Sequence, residues 1–262
     1  MATLRVFKAL YANGHYIDWV QLWFLPHLFV LNIFAFAFYA LVKKSRLPWL
    51  RWILLVVIQI VGVMLIDKLW PFNISLFGKD LTLFGLPFSI DLVLVSGFFF
   101  IMGTEVYKIV PGEVFASPWT LISSGIALVG MVIWLQPVID FNTRLFESLP
   151  INTIEALLGI IFILAISKQI ERVPLLSGFF RYVGQASLII LIFHVPIQET
   201  WGEKILYLFN NQPLSYWIAY VAGVLGPILI YRYTIQPNPI VRDWFGLPRP
   251  TPSGNVTEIK AT

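Results

Sequence analysis

Long apolar runs, separated by short polar or proline-bearing breaks, set the pattern of this chain. They recur near 20–42, 49–66, 86–102, 118–138, 151–167, 183–200 and 214–234. Each is on the scale of the about 17–25 residues that an α-helix needs to cross a bilayer. Sustained period-two alternation is absent. Backbone groups must be satisfied within the segment in hydrocarbon, so helices are predicted rather than a barrel. The expected fold is all-α, a polytopic transmembrane helix bundle of about seven spans over residues 1–234. A Pro-rich tail follows over 235–262, where Pro237, Pro239, Pro248, Pro250 and Pro252 predict extended chain. Pro174, Gly178 and Gly184 mark 172–186 as an interfacial elbow before the sixth run.

Composition agrees with the pattern. The chain of 262 residues is 58% hydrophobic and 12% charged, with mean hydropathy +0.79. Soluble domains carry about 25% charged residues, so a water-facing globule is excluded. The net charge of +4 is spread through apolar sequence without a basic face, which argues against nucleic-acid binding. With no cysteine there is no disulfide and no thiolate metal site, and no metal centre is expected. The first 18 residues lack the apolar core of a cleavable signal. Tryptophans, among them Trp19, Trp49, Trp70, Trp134 and Trp201, fall near the ends of the runs, where indole favours headgroups. Twelve of the 18 Lys and Arg fall on one alternate set of segments. By the positive-inside bias that set is cytoplasmic, placing the N-terminus outside and the C-terminus inside.

Ionisable groups inside hydrocarbon cost roughly 2.5–3.5 kcal/mol each on insertion scales, so their positions carry information. His27, Asp91, Glu155, His194 and Gln198 fall in the outer halves of their runs. Ser123, Ser124 and Thr104 are the main polar side chains of the inner halves. Asp67, Lys68, Asp140 and Glu199 lie close enough to span ends to reach water. Asp91 and Glu155 read equally as helix-capping acids and as site residues. Pro26 and Pro196 would free the carbonyls of Leu22 and Ile192, next to His27 and His194. Each imidazole either lines a polar cavity or satisfies the freed carbonyl. Signatures of soluble hydrolases, zinc proteases and phosphate loops are missing.

Three stretches carry a resemblance. Trp23-Phe24-Leu25-Pro26-His27-Leu28-Phe29 resembles the W-F-L-P-x-L-F signature of the acyltransferase 3 family, in its sugar O-acetylase branch. Tyr182-Val183-Gly184-Gln185-Ala186-Ser187-Leu188, followed by Ile192-Phe193-His194-Val195-Pro196-Ile197, resembles that family's late span. Phe98-Phe99-Phe100-Ile101-Met102-Gly103 is similar to the F-F-x-x-G stretch between them. The resemblance implies a multi-pass enzyme of the bacterial inner membrane with no bound cofactor. It would move an acyl group, usually acetyl, from acetyl-CoA or another acyl-CoA donor to a hydroxyl of a surface glycan or its lipid-linked sugar precursor. Its partners would be the bilayer and that acceptor. His194 and His27 are then the catalytic candidates, because imidazole is the usual base near neutral pH. Trp23, Pro26, Asp91 and Glu155 are the substrate-binding candidates.

The family's early arginine–histidine span and its Arg-x-x-Arg pair have no counterpart here. The expectation is therefore the C-terminal seven spans of such an enzyme, with an N-terminal fragment carried elsewhere. A non-catalytic accessory protein of envelope glycan assembly and a small-molecule transporter are the competing readings. The transporter would need inverted repeats, which the sequence does not display.

Overall fold

The computed structural model describes residues 11–13, 15–16, 20–45, 47, 49–76, 79–245 and 247. A 3-10 turn, Val20–Trp23, leads into α1 (Phe24–Lys44), which is followed by α2 (Leu50–Ile66). A hairpin of β1 (Phe72–Leu76) and β2 (Lys79–Leu83) then precedes a 3-10 segment, Pro87–Leu92, that runs directly into α3 (Val93–Ile109). Short α4 (Gly112–Ala116) and α5 (Pro118–Trp134) come next. A two-residue pair, β3 (Ile139–Asp140) with β4 (Leu145–Phe146), connects them to α6 (Leu149–Glu171). The last elements are α7 (Pro174–Gln185), α8 (Ser187–Phe209), α9 (Gln212–Ile230) with a π turn at Tyr231–Ile235, and α10 (Pro239–Trp244).

All seven apolar runs are helical at the predicted places. Among the described residues, four helices have the length and composition of a membrane span: Gln21–Lys44, Pro87–Ile109, Leu149–Glu171 and Gln212–Ile235. The pair α7 and α8, bent by 73° at Ala186, makes a fifth if taken as one broken span. α2 and α5 are apolar but shorter. The chain is thus an all-α membrane protein. The bend sits at the predicted elbow, and the exposed Leu175, Leu176, Phe179 and Phe180 of α7 suit a helix lying in the interface.

The chain divides into two compact units, Met1–Gly178 and Phe179–Thr262. In the first, Ala35, Phe38, Leu55, Phe98 and Ile101 join α1, α2 and α3 in one core. A second cluster, Ile66, Leu92, Val95 and Phe146, lies where the β3–β4 loop closes over the ends of α2 and α3. Leu55, Leu92, Val95 and Ile101 are fully buried, while Phe36, Met64 and Trp134 face outward as lipid-facing side chains do. In the second unit, Ala186, Ile189, Tyr231 and Ile235 form the centre.

Gly97 shows how closely α1 and α3 approach. A Cβ there would meet the Phe34 ring at 2.6 Å. Small residues at such contacts let helices pack without a hydrophobic driving force. Gly97→Ala is expected to force the two helices apart and lower stability by about 1–3 kcal/mol, read from the thermal midpoint in detergent. An unchanged midpoint would show that Phe34 moves aside freely.

Three expectations are corrected. Pro26 does not kink a continuing helix: α1 starts at Phe24, so Pro26 sits in the first turn, where its missing N–H costs little. The start of the tail is not extended. Pro239 occupies the first turn of α10, and the Asn238 side chain accepts from the N–H groups of Ile240 and Val241. Val241, Phe245 and Leu247 then pack on the Tyr231 cluster. Residues 248–262 lie outside the described residues, as does Trp19. The C-terminal half of α3, expected to be plain, is not, because Glu105 is buried there with 1% exposure.

Candidate functional site

His27, in the first turns of α1, is buried at 2% exposure against the start of α3. Its Nδ1 lies 3.3 Å from the Phe88 carbonyl oxygen and its Nε2 lies 2.8 Å from Ser96 Oγ. The Trp23 ring stands 5.4 Å away, and Pro26 directly precedes the imidazole. The sequence candidates Trp23, Pro26 and His27 are therefore together, and Asp91 is joined to them through the Pro87–Leu92 segment.

That segment is unusual. Phe88 and Ser89 both adopt left-handed backbone, with φ of 57° and 52°. Non-glycine residues seldom occupy this region, and consecutive cases persist only where surrounding contacts over-determine them. The contacts are present. Asp91 Oδ1 accepts the Leu86 N–H at 2.8 Å, and Oδ2 accepts Arg144 Nε at 2.7 Å. Arg144 also donates to the carbonyls of Phe141 and Asn142, at 3.0 and 3.2 Å, and to Ser89 Oγ at 3.2 Å. The pair is buried, with side chains 1% and 0% exposed. Its guanidinium sits over the Trp70 ring at 4.5 Å.

The N-terminal segment completes the enclosure. Asn13 Nδ2 donates to the Phe84 and Leu86 carbonyls, and the Tyr11 hydroxyl donates to the Gly85 carbonyl at 2.7 Å. Gly85 has φ of +71°, and a Cβ there would lie 2.7 Å from Asn13 Nδ2. Burial, with the phenol of Tyr16 and the carboxylate of Asp91 nearby, pushes the Tyr11 phenol above its usual value. Arg144 itself is held by its loop, where Asp140 Oδ1 accepts the N–H groups of Asn142 and Thr143. The Thr143 hydroxyl and those backbone donors keep the Asp140 carboxyl below its usual range.

Sequence reasoning missed two members of this architecture. Neither Arg144 nor Ser96 is among the sequence candidates. The same reasoning missed a second buried carboxylate, Glu105, which bridges three helices. The Tyr39 hydroxyl and Lys108 Nζ reach Oε1 at 2.9 and 2.7 Å, and Arg51 pairs with Oε2 at 3.1 Å. The Glu105–Lys108 spacing of three on one helix was the available signal. Glu155 lies half-buried on α6, and the hydrogen bonds described for the His27 group do not include it. An apolar cleft of about 200 Å³, lined by Val56, Gln59, Phe98 and Thr153, contains neither His27 nor Asp91.

His194 belongs to the second unit. Its Nδ1 faces the carbonyls of Ile190 and Leu191, at 2.8 and 3.1 Å, rather than that of Ile192. As the donor must be Nδ1–H, Nε2 is left as an acceptor, and the side chain is half-buried. Among the described residues, no group of three or more His, Asp or Glu could hold a metal ion.

No curated protein and no solved structure gives a significant match to this chain. A family model described as an acyltransferase domain does match, over residues 3–232. The match spans every described element from the 3-10 turn at Val20–Trp23 through α9, including the His27 and His194 stretches. The chain belongs to the acyltransferase 3 family and is a membrane-embedded transferase of acyl groups other than aminoacyl groups.

Proposed function

We propose that this protein is an O-acyltransferase of the bacterial inner membrane. It passes an acyl group, acetyl in the first instance, from acyl-CoA to a hydroxyl of a cell-envelope glycan or its lipid-linked precursor. The buried imidazole of His27 carries this reading. It lies in the family-matched region, at the base of a strained segment whose geometry is over-determined by a buried ion pair. Acyl transfer to a hydroxyl needs a base to take the hydroxyl proton, and a positioned imidazole contributes about 10²–10⁴-fold to such a step. Asp91 acts as a positioning residue, since its two oxygens fix Leu86 and Arg144 and thereby the Phe88 carbonyl. Trp23, half-exposed beside His27, offers the ring face on which a sugar packs. Pro26 and Glu155 contribute to acceptor binding, and the uncommitted Nε2 of His194 makes it the second catalytic candidate.

The test is genetic and chemical. Deleting the gene in its source cell should lower base-labile acetyl on envelope glycans, and plasmid-borne protein should restore it. Unaltered ester content would remove the glycan from the proposal. The orientation follows from the charge bias, with the C-terminus cytoplasmic. Alkaline phosphatase fused after Thr262 should be silent, since that enzyme needs the outer compartment, and strong activity would invert the topology.

A further inference from the structure

The group facing the His27 base is a second side chain rather than open space. We propose that Ser96 is a nucleophile that carries the acyl group as an ester between donor and acceptor, with His27 as its base. The proposal rests on the acyltransferase reading above and adds a covalent intermediate to it.

The geometry is that of an activated serine. Ser96 Oγ lies 2.8 Å from His27 Nε2, within the range of a nucleophile–base hydrogen bond. The other ring nitrogen is turned toward the Phe88 carbonyl, and a neutral imidazole that donates there through Nδ1–H presents Nε2 as an acceptor. The hydroxyl has one proton and two acceptors around it, His27 Nε2 and the Leu92 carbonyl at 2.7 Å. Transfer of that proton to the imidazole needs only a hydroxyl rotation. Ser96 is half-buried, and His27 lies buried directly behind its hydroxyl. Orientation of the base comes from a third group, as in other nucleophile–base pairs, here a carbonyl fixed by the left-handed Phe88–Ser89 backbone. Gly97, adjacent in sequence, permits the close α1–α3 approach that brings Ser96 to His27.

The steps balance. Ser96 Oγ attacks the carbonyl carbon of an acyl thioester while Nε2 takes the hydroxyl proton. The C–S bond breaks, and the leaving thiolate takes that proton from the imidazolium. The acceptor hydroxyl then attacks the acyl-serine carbonyl, His27 takes its proton, and the proton returns to Oγ as the ester C–O bond breaks. Ser96 lies several residues inside the Pro87–Ile109 span, where scarce water would protect the ester from hydrolysis.

The experiment uses permeabilised membranes of the source cell carrying the tagged full chain, incubated with radiolabelled acetyl-CoA and no added acceptor. The expected result is label on the peptide containing Ser96, released by hydroxylamine and discharged when acceptor is added. Ser96→Ala should lose both the label and at least 100-fold of transfer, with folded yield retained. Ser96→Cys should keep label as a thioester, which excludes misfolding as the cause. Ser167→Ala, a serine bonded to its own helix at the Ile163 carbonyl, should behave as wild type. An unlabelled wild-type chain overturns the proposal, as does Ser96→Ala transferring at the wild-type rate. If the unlabelled wild type still acetylates added acceptor, the transferase reading stands and transfer is direct. If it acetylates nothing, that reading falls as well.

Discussion

Arg144→Ala is expected to cost about 3–5 kcal/mol, the largest stability loss of any single substitution argued for this chain. The substitution strands Asp91, whose side chain is fully buried and whose other hydrogen-bond partner is a single backbone N–H. It also releases the Phe141 and Asn142 carbonyls and the Ser89 hydroxyl, so the β3–β4 loop loses its anchor to the α3 entry. The measurement is the thermal midpoint of purified protein in detergent, together with folded yield. Replacing both partners, as Asp91→Leu with Arg144→Met, should recover much of the loss, because two matched apolar groups leave no buried charge unpaired. A single variant with the wild-type midpoint would sink the argument. A double variant no better than Arg144→Ala would show that the carbonyl contacts, not the stranded carboxylate, dominate.

The sequence made the helices legible because bilayer length is a strong constraint. All seven apolar runs are helical, although the third and sixth run on to Ile109 and Phe209. Among the described residues, four or five helices have the length and composition of a span. The connections were harder to read. Phe72, Ile74 and Leu83 alternate with Asn73, Ser75 and Thr82, a period-two signal too short to stand out beside spans of hydrophobic sequence. Arg144 was invisible as a site residue for a different reason: sequence places it in a loop, and depth is decided by a partner 53 positions away. Ser96 escaped notice because a serine inside a helix usually bonds back to its own backbone, and this one does so too. Only the crossing of α1 and α3 reveals its second partner. His27 was legible because an ionisable side chain in hydrocarbon needs a reason to be there. The carbonyl read for it, that of Leu22, is not the one it meets, since its ring nitrogens face the Phe88 carbonyl and Ser96 Oγ.

His27→Gln is expected to lower acyl transfer by about 10²–10⁴-fold while the protein still folds. Glutamine keeps a donor for the Phe88 carbonyl and an acceptor for the Ser96 hydroxyl, so neither buried polar atom is stranded. What it cannot do is hold a proton during the reaction. Activity must therefore be divided by folded protein, measured on the same sample. Near-wild-type specific activity would remove His27 from the chemistry and leave it as a packing residue. His194→Ala provides the companion measurement. Its Nδ1–H serves carbonyls within its own helix, so truncation should leave folding nearly intact, and the uncommitted Nε2 is the part that could meet a substrate. A loss of at least tenfold per folded molecule is expected there. Loss of yield with full specific activity would instead make His194 a structural imidazole.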